Sequence, residues 1–350
     1  MAESAPSVVA ELIWCSVHHA HPAVAPFAAN RGQPEVNRPP PFGHVPTNQA
    51  PKRERYTSAV LKLVIPKGSL EEQTLRLFEA ADLHVRRSTS RDYHGSVDDD
   101  RIERVSVLRP QEIPTYVADG LFDIGITGQD WIAETGSDVE VLASLSYAKT
   151  GTGHGTKIVL AVPNEHPANS ASEMPGGSRI STEFVRITER YFAELGIDVR
   201  VAWSYGATEA KVPEIVDAIV DVTETGNTLR AHGMKIIGTL LTSDPVLVAN
   251  RQAAADDDKR AAMDDITTLL LGALDAVGRV LIKLNVAEAD RDAVLAVVPS
   301  MKAPTVSPLA DGGFAIETVV DKRGVNRLIP ELKAAGATDI LEIPISKIVP

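Results

Sequence analysis

Cysteine, positive charge and long apolar runs are all scarce in this sequence. A single cysteine, Cys15, excludes an internal disulfide framework and fits a reducing compartment, so we expect a cytoplasmic protein. No uncharged apolar run approaches the roughly 18 residues of a membrane-spanning helix. Lys and Arg number 35 against 47 Asp and Glu, a net charge of −12, so neither nucleic acid nor an anionic membrane is an expected partner. An anionic substrate would have to be held by local N–H groups, a few basic side chains and a metal.

The composition is that of a globular protein with more than one core. Of the 350 residues, 44% are hydrophobic, which suits two or three domains. Residues 1–58 are rich in Pro and His, show no sustained period and are predicted to form a disordered tail. Strands and helices then alternate with short links, which predicts sheets covered by helices. We assign a first lobe to residues 59–150 and 237–255, a second lobe to 151–236, and a C-terminal βαββαβ, ferredoxin-like domain to 264–350.

The stretch from Asp217 to Leu229 contains the clearest chemical signal. A short apolar run interrupted by Asp217 and Asp221 passes into a small loop with Thr hydroxyls and one glycine, Gly226. Backbone N–H groups turned by the glycine, together with the hydroxyls, are suited to a phosphate. A preceding carboxylate can accept hydrogen bonds from sugar hydroxyls. The loop therefore indicates a ribose 5-phosphate site; the alternative is a buried strand followed by an ordinary turn.

Several further polar residues follow predicted strands of the first lobe. Ligands of open α/β sheets bind at the carboxyl ends of the strands, so residues at these positions should face one cleft. The residues are Lys67, Gly68, Arg109, Thr127 and Gly128. Arg109 also has a structural alternative, which is an ion pair with Asp130 further along the chain.

Five segments resemble one known family, ATP phosphoribosyltransferase, in its long form with a C-terminal regulatory domain. The segments occur in the family's order, and the resemblance covers roughly residues 60–350. They are residues 61–70, 109–130, 217–229, 302–309 and 336–341.

The resemblance implies both a fold and a reaction. The fold is α/β, with two catalytic lobes like those of a periplasmic binding protein, then the ferredoxin-like (ACT-like) domain, assembled as a homohexamer. In the reaction, the first step of histidine biosynthesis, N1 of ATP attacks C1 of phosphoribosyl pyrophosphate (PRPP), and pyrophosphate leaves. Mg²⁺ is required and is expected mainly on the substrate phosphates. Histidine is the expected feedback inhibitor.

The resemblance also assigns roles to residues of this sequence. Asp221, with Asp217, is expected to hold the ribose hydroxyls. The remaining roles are grouped by ligand. The 5′-phosphate would be bound by Thr225, Gly226, Asn227 and Thr228; the pyrophosphate or ATP by Lys67, Gly68, Arg109, Thr127, Gly128, Asp130, Thr182 and Glu209; and regulatory histidine by Asn285, Met301 and Thr305.

The sequence departs from the family's pattern at three places, one of which is Val185-Arg186, where Pro-Asn is more usual. Position 227 is Asn, where many members have Lys or Arg, and Glu224 places a negative charge in the loop, so it is expected to point outward. Glu209 also has a purely structural alternative, as a carboxylate at a helix N-terminus. The alternative function is a solute-binding or effector-sensing protein without catalysis.

Overall fold

The computed structural model describes residues 60–146, 155–299 and 303–350. The predicted tail at 1–58 and most of the Gly-rich crossing at 150–155 lie outside these residues. None of the described helices has both the length and the apolar character that a membrane span requires.

The first part of the chain forms strands of a mixed sheet, in which three neighbouring strands are parallel and a further strand pairs with them in the antiparallel direction. The central strand is buried along nearly its whole length, as expected of a parallel strand covered on both faces. The elements are β1 (Leu61–Pro66), α1 (Glu71–Ala80), β2 (Val85–Arg86), β3 (His94–Val97), β4 (Ile102–Leu108), α2 (Ile113–Ala118), β5 (Ile124–Gly128), α3 (Gln129–Thr135) and β6 (Val139–Ser144). Strand β1 pairs in parallel with both β4 and β5, which confirms that these three strands end at one edge.

A second α/β unit follows. Its elements are β7 (Thr156–Pro163), β8 (Arg179–Thr182), α4 (Val185–Leu195), β9 (Arg200–Trp203), β10 (Ala218–Thr223), α5 (Asn227–Ala231) and β11 (Met234–Ser243). They form a five-stranded sheet in the order β11-β7-β10-β8-β9. Strands β8, β9 and β10 are parallel, so they also end at one edge.

The chain then returns to the first sheet. The returning elements are β12 (Pro245–Asn250), α6 (Arg251–Ala254) and α7 (Asp257–Ala276). Strand β12 inserts between β5 and β6, which completes seven strands in the order β2-β3-β4-β1-β5-β12-β6. The chain thus crosses between the lobes twice, and the two-lobed fold is confirmed.

Two domain boundaries differ from those expected from the sequence. Residues 237–243 were assigned to the first lobe, but β11 pairs with β7 over ten residues and belongs to the second sheet. Helix α7 was partly assigned to the C-terminal domain. Its apolar side, including Met263, Ile266 and Leu270, packs into the core under the first sheet. Strand pairing and burial across the fold therefore determine to which domain these two elements belong.

The C-terminal part has the predicted βαββαβ order. Its elements are β13 (Arg279–Val286), α8 (Arg291–Val297), β14 (Thr305–Pro308), β15 (Phe314–Asp321), α9 (Val325–Ala334) and β16 (Ala337–Pro344). The strands form an antiparallel sheet in the order β14-β15-β13-β16, which is the ferredoxin-like arrangement. Alternate residues of β13 are buried against the helices, so the other face of the sheet has no helix from this domain.

Helices α3 and α4, from different lobes, cap one another. The buried carboxylate of Glu134 on α3 accepts hydrogen bonds from the backbone N–H groups of Arg186 (3.0 Å) and Ile187 (3.0 Å) in the first turn of α4. In return, the Arg186 guanidinium donates to the carbonyl of Thr135 in the last turn of α3 (2.6 Å). An anion at a helix N-terminus and a cation at a C-terminus are both favourable. We call this pair of contacts the interlobe cap.

Removing the buried carboxylate of the interlobe cap should destabilise the protein. Glu134→Ala leaves two buried N–H groups without their charged acceptor, so the free energy of unfolding should fall by about 2–3 kcal/mol. Urea unfolding measures the change. Glu194→Ala, an exposed glutamate on α4, is the control and should change stability by less than about 0.5 kcal/mol. Equal effects of the two substitutions would contradict the role of the cap.

Candidate functional site

A cavity of about 560 Å³ lies between the first and second sheets. Its wall combines the start of α1, the ends of β4 and β5, the loop after β10, and the crossing from β11 to β12. The lining residues are Ser69, Leu70, Gln73, Pro110, Gln111, Gly128, Asp130, Trp131, Gly155, Thr156, Glu183, Phe184, Val222, Thr223, Glu224, Thr225, Thr228, Ser243, Asp244 and Pro245. Of the residues expected at the carboxyl ends of the first-lobe strands, Gly128 lines this cavity, whereas Lys67, Gly68, Arg109 and Thr127 are not among its lining residues.

The loop after β10 has the shape of an anion cradle. Gly226 has a φ of +73° and donates its N–H to the hydroxyl of Thr223 (2.8 Å), which closes the turn just before α5. The positive φ favours glycine at this position, and a Cβ there would lie 2.9 Å from Nη1 at the movable end of the Arg230 side chain. Thr225 and Thr228 line the cavity, while Asn227 is exposed outside its lining. Glu224 is exposed at the cavity wall.

Asp221 lies on β10 close to the loop, outside the residues that line the cavity, and its ionised form is disfavoured by its surroundings. The pKa of this carboxyl is raised to about 6, mainly by burial and in smaller part by the negative charges of Glu209 and Glu183, while a hydrogen bond from the N–H of Val222 opposes the rise. The half-buried carboxylate has no cationic partner among the described ion pairs. Such a group is poised to accept hydroxyl donors or to meet a cation.

The structure does not bring Asp217 to the cavity. Asp217 precedes β10, at the opposite end of the strand from the loop. Its carboxylate pairs with the Arg179 guanidinium (2.7 Å) and accepts the N–H of Arg179 (2.8 Å). These hydrogen bonds and the positive charge of Arg179 hold the pKa of Asp217 below its usual range. Asp217 thus has a structural partner in place of the expected ribose contact.

Asp130 is fixed at the cavity wall by a residue from the interlobe crossing. Its buried carboxylate accepts a hydrogen bond from the Ser243 hydroxyl (2.8 Å), and its backbone N–H donates to the same oxygen (3.0 Å). Burial raises the pKa of Asp130. Arg109 is exposed and forms no ion pair with Asp130, so the alternative structural pair does not occur. Gly128 lines the cavity beside Asp130.

Four other predicted site residues lie near the cleft but outside its lining. Thr127 is buried and donates its hydroxyl to the carbonyl of Pro110 (2.9 Å). Thr182 is buried, and its hydroxyl accepts the N–H of Phe184 (2.9 Å). These two threonines shape the backbone that does line the cavity.

The other two come from the turn after β1. Lys67 places its ammonium 4.0 Å from the centre of the Tyr93 ring, a cation–π contact. Gly68, with a φ of +88°, forms the turn into α1. Neither lines the cavity, although the next residues, Ser69 and Leu70, do.

Glu209 lies in the short 3-10 helix Thr208–Lys211. The first residue of this helix, Thr208, shares a hydrogen bond with the hydroxyl of Ser204 in the preceding loop (2.8 Å). The Lys211 ammonium donates to the Ser204 hydroxyl (2.6 Å) and thereby ties this segment to the end of β9. The negative charge of Glu209 contributes to the raised pKa of Asp221, and Glu209 is not among the residues that line the cavity. The alternative of a helix N-terminal carboxylate is compatible with the same position.

Sequence reasoning missed several residues that form the cavity floor and rim. Trp131 and Phe184 pack with their ring centres 4.7 Å apart, joining the two lobes beneath the cavity. Gln73 and Gln111 each have a side-chain oxygen that is buried without a hydrogen-bond partner. The sequence offered one signal for Trp131 and Phe184, which is that each lies within two residues of a predicted site residue, Asp130 or Thr182.

The cavity wall is acidic. Its titratable side chains are the carboxylates of Asp130, Glu183, Glu224 and Asp244, and its lining contains no Lys, Arg or His. Within the described ranges, no three His, Cys, Asp or Glu side chains converge into an ion-binding cluster. The wall alone would repel a phosphorylated ligand, so the binding of such a ligand needs cations from elsewhere.

Comparison with known proteins decides the family. The family model for ATP phosphoribosyltransferase matches residues 109–272, and the model for the C-terminal domain of the same family matches residues 276–347. Relatives named ATP phosphoribosyltransferase include one from Koribacter versatilis, 45% identical over 83% of this chain and 99% of the relative. Another, from Desulforudis audaxviator, is 46% identical with the same coverage. The chain belongs to the ATP phosphoribosyltransferase family.

A solved structure agrees with this assignment. The ATP phosphoribosyl transferase (HisG:HisZ) complex from Thermotoga maritima contains a chain that is 27% identical, with a TM-score of 0.51. The match covers 60% of this chain and 96% of that one. The predicted transferase function and the long form with a C-terminal domain are therefore confirmed.

The family's C-terminal domain contains the residues expected to bind histidine. Asn285 on β13 donates its side-chain amide to the carboxylate of Asp339 (3.0 Å). Thr305 begins β14, and the register through β15 places it on the same, helix-free face as Asn285. Met301 lies outside the described residues. The structure therefore places two of the three on one surface, and their role stays a prediction.

Replacing Asp221 by Asn should stabilise the protein near neutral pH. The folded-state pKa of about 6 lies above the ordinary Asp value of 3.8, so the ionised form is less favourable in the folded state. Wild type therefore loses stability as pH rises through about 6, and Asp221→Asn avoids that loss. We expect a gain on the order of 1 kcal/mol at pH 7.5, since partial solvation weakens the effect, and none at pH 3.5.

The matched control is Asp217→Asn on the same strand. The pKa of Asp217 is lowered, so its ionised form contributes stability above the unfolded-state pKa, and the substitution should destabilise near neutral pH. Urea unfolding across pH 4–8 measures both variants. Destabilisation by Asp221→Asn at pH 7.5 would contradict the assigned electrostatics.

Proposed function

We propose that this chain transfers the 5-phosphoribosyl group of PRPP to N1 of ATP in the cleft between its lobes. The observation that supports this assignment is the cavity between the lobes, which Thr225 and Thr228 of the glycine-turned loop line on one side and Gly128 and Asp130 line on the other. The family name supports the substrates, and the cavity of about 560 Å³ suits ligands of this class.

Asp221 is the proposed ligand of the ribose hydroxyls. An ionised carboxylate accepts two hydroxyl hydrogen bonds, and the nearby loop then faces the 5′-phosphate. Positive charge develops on the ribose as the bond from C1 to the pyrophosphate oxygen breaks. A carboxylate held in a poorly solvated site stabilises that charge better than it does the neutral ground state.

The transfer needs no protein base. The lone pair of adenine N1 forms the new bond to C1, while the pyrophosphate oxygen leaves with the electron pair of the broken bond. N1 has no proton to lose before it attacks. The lobes therefore act by holding N1, C1 and the leaving oxygen in line and by limiting water access.

Mg²⁺ is the proposed metal, bound mainly by substrate phosphates. The described residues offer no all-protein cluster but do offer isolated carboxylates in an acidic cleft, which is the protein contribution that Mg²⁺ commonly needs. Glu183 and Glu209 would hold its remaining positions. The ion supplies Lewis-acid stabilisation of the leaving pyrophosphate.

Regulation, assembly and location complete the proposal. Histidine would bind the C-terminal domain at Asn285, Met301 and Thr305, and copies of the chain would assemble as a homohexamer through this domain. The partly apolar outer strand β16, with Leu341 and Ile343 exposed, supports an interface there.

The proposed compartment is the cytoplasm, whose reducing environment suits a protein with one cysteine.

The direct test is formation of phosphoribosyl-ATP from ATP, PRPP and Mg²⁺. Asp221→Asn should lower kcat/KM by about 100-fold or more, because a neutral amide stabilises the developing charge poorly. Asp217→Asn, at the far end of β10, should stay within about threefold of wild type. Binding of both substrates without turnover by wild type would instead favour the solute-sensing alternative.

The regulatory assignment has its own test. Asn285→Ala should raise the histidine concentration for half-inhibition by about tenfold, since one polar contact is lost. Each variant's rate without histidine serves as its reference. Glu331→Ala on the helical side of the same domain is the control and should retain wild-type inhibition. Unchanged inhibition in Asn285→Ala would remove this residue from the histidine site.

A further inference from the structure

Arg230 contacts the phosphate loop from α5. One guanidinium nitrogen, Nη2, donates to the backbone carbonyl of Thr225 (2.8 Å) and to the side-chain oxygen of Asn227 (2.5 Å). The other, Nη1, lies where a Cβ on Gly226 would come within 2.9 Å. The arginine therefore spans three consecutive loop residues and fits against the glycine that forms the turn.

The charge of Arg230 is not neutralised by the protein. None of the ion pairs among the described residues includes this arginine, in contrast to Arg179, which is paired with Asp217. Its partners in the loop are a carbonyl and an amide, both neutral. A guanidinium with only neutral partners leaves its positive charge available to an anion near the loop.

The cleft has a need for such a charge. Its lining residues include four carboxylates and no basic side chain, while the loop itself contains Glu224 and a neutral Asn227. A phosphate in this loop would otherwise meet only backbone N–H groups and hydroxyls against an acidic background. Arg230 brings a fixed cation into contact with the loop.

We propose that Arg230 is a positioning residue for the 5′-phosphate of PRPP, with Asn227 as its anchor. The arginine holds the Thr225–Asn227 backbone in its turned conformation and supplies positive potential to the bound phosphate. Asn227 acts through Arg230, since its side-chain oxygen is occupied by the guanidinium. This inference rests on the proposed function, because it takes the loop as the phosphoribosyl site.

Steady-state kinetics of Arg230→Gln and Arg230→Lys test the proposal. Gln removes the charge, so the KM for PRPP should rise about tenfold while the KM for ATP stays within twofold. Lys keeps the charge but not the planar fork, so its KM for PRPP should rise only about threefold. Raising the salt concentration should increase the KM for PRPP less in Arg230→Gln than in wild type. If Arg230 had only a structural role, the KM for PRPP would rise as much in Arg230→Lys as in Arg230→Gln.

Two controls separate failure of this inference from failure of the proposed function. Arg76→Gln, an exposed arginine on α1 paired with Glu72, should leave both KM values unchanged. Inhibition by ribose 5-phosphate should weaken about tenfold in Arg230→Gln, as expected for a lost phosphate contact. An active wild type whose KM for PRPP is unaffected by Arg230→Gln would overturn the role of Arg230 alone. A wild type without turnover that does not bind ribose 5-phosphate would overturn the proposed site and this inference with it.

Discussion

The geometry of the cleft depends on the interlobe cap, in which a buried carboxylate of one lobe satisfies the helix N-terminus of the other. Glu134 accepts two backbone N–H groups of α4, and Arg186 returns a hydrogen bond to the end of α3. The Glu134 carboxylate is buried and would be costly to bury without these N–H partners, whereas the contact of Arg186 with Thr135 is exposed. Trp131 and Phe184 stack beside them at the floor of the cavity. The distance between the two substrate-binding walls is therefore set by paired helix ends rather than by the crossing strands alone.

The crossing strands add a second constraint on the same cleft. Ser243 lies at the end of β11, where the chain leaves the second lobe, and binds both the carboxylate and the N–H of Asp130 in the first lobe. A residue of the crossing thus fixes an acidic side chain at the cavity wall. Because burial disfavours the ionised form of Asp130, a small change in lobe separation would alter its solvation and its pKa. Lobe position and cleft electrostatics are coupled through this one serine.

Sequence reasoning predicted the strands, the loop and the family, because each depends on local pattern. It did not predict that β11 belongs to the second lobe and α7 to the first, since these assignments depend on strand pairing and burial across the fold. Asp217 and Asp221 show the same limit within one motif. Four residues along a strand separate them by about 13 Å, so only one can border the loop. Glu134 and Arg186 are also distant in sequence, and a lone Glu at a helix end gives no sign that it caps a helix of another lobe.

The electrostatics of β10 and the loop after it, the wall proposed to bind the phosphoribosyl group, are those of a site that a ligand would stabilise. Asp221 stays ionised at neutral pH despite burial and two neighbouring carboxylates, a cost shown by its raised pKa. Arg230, a few residues further on, presents a positive charge with only neutral partners. A ligand that donates hydroxyl hydrogen bonds to Asp221 and places a phosphate near Arg230 would stabilise both charges together. A neutral sugar or an isolated phosphate relieves only one, which favours a phosphorylated sugar as the ligand of this wall.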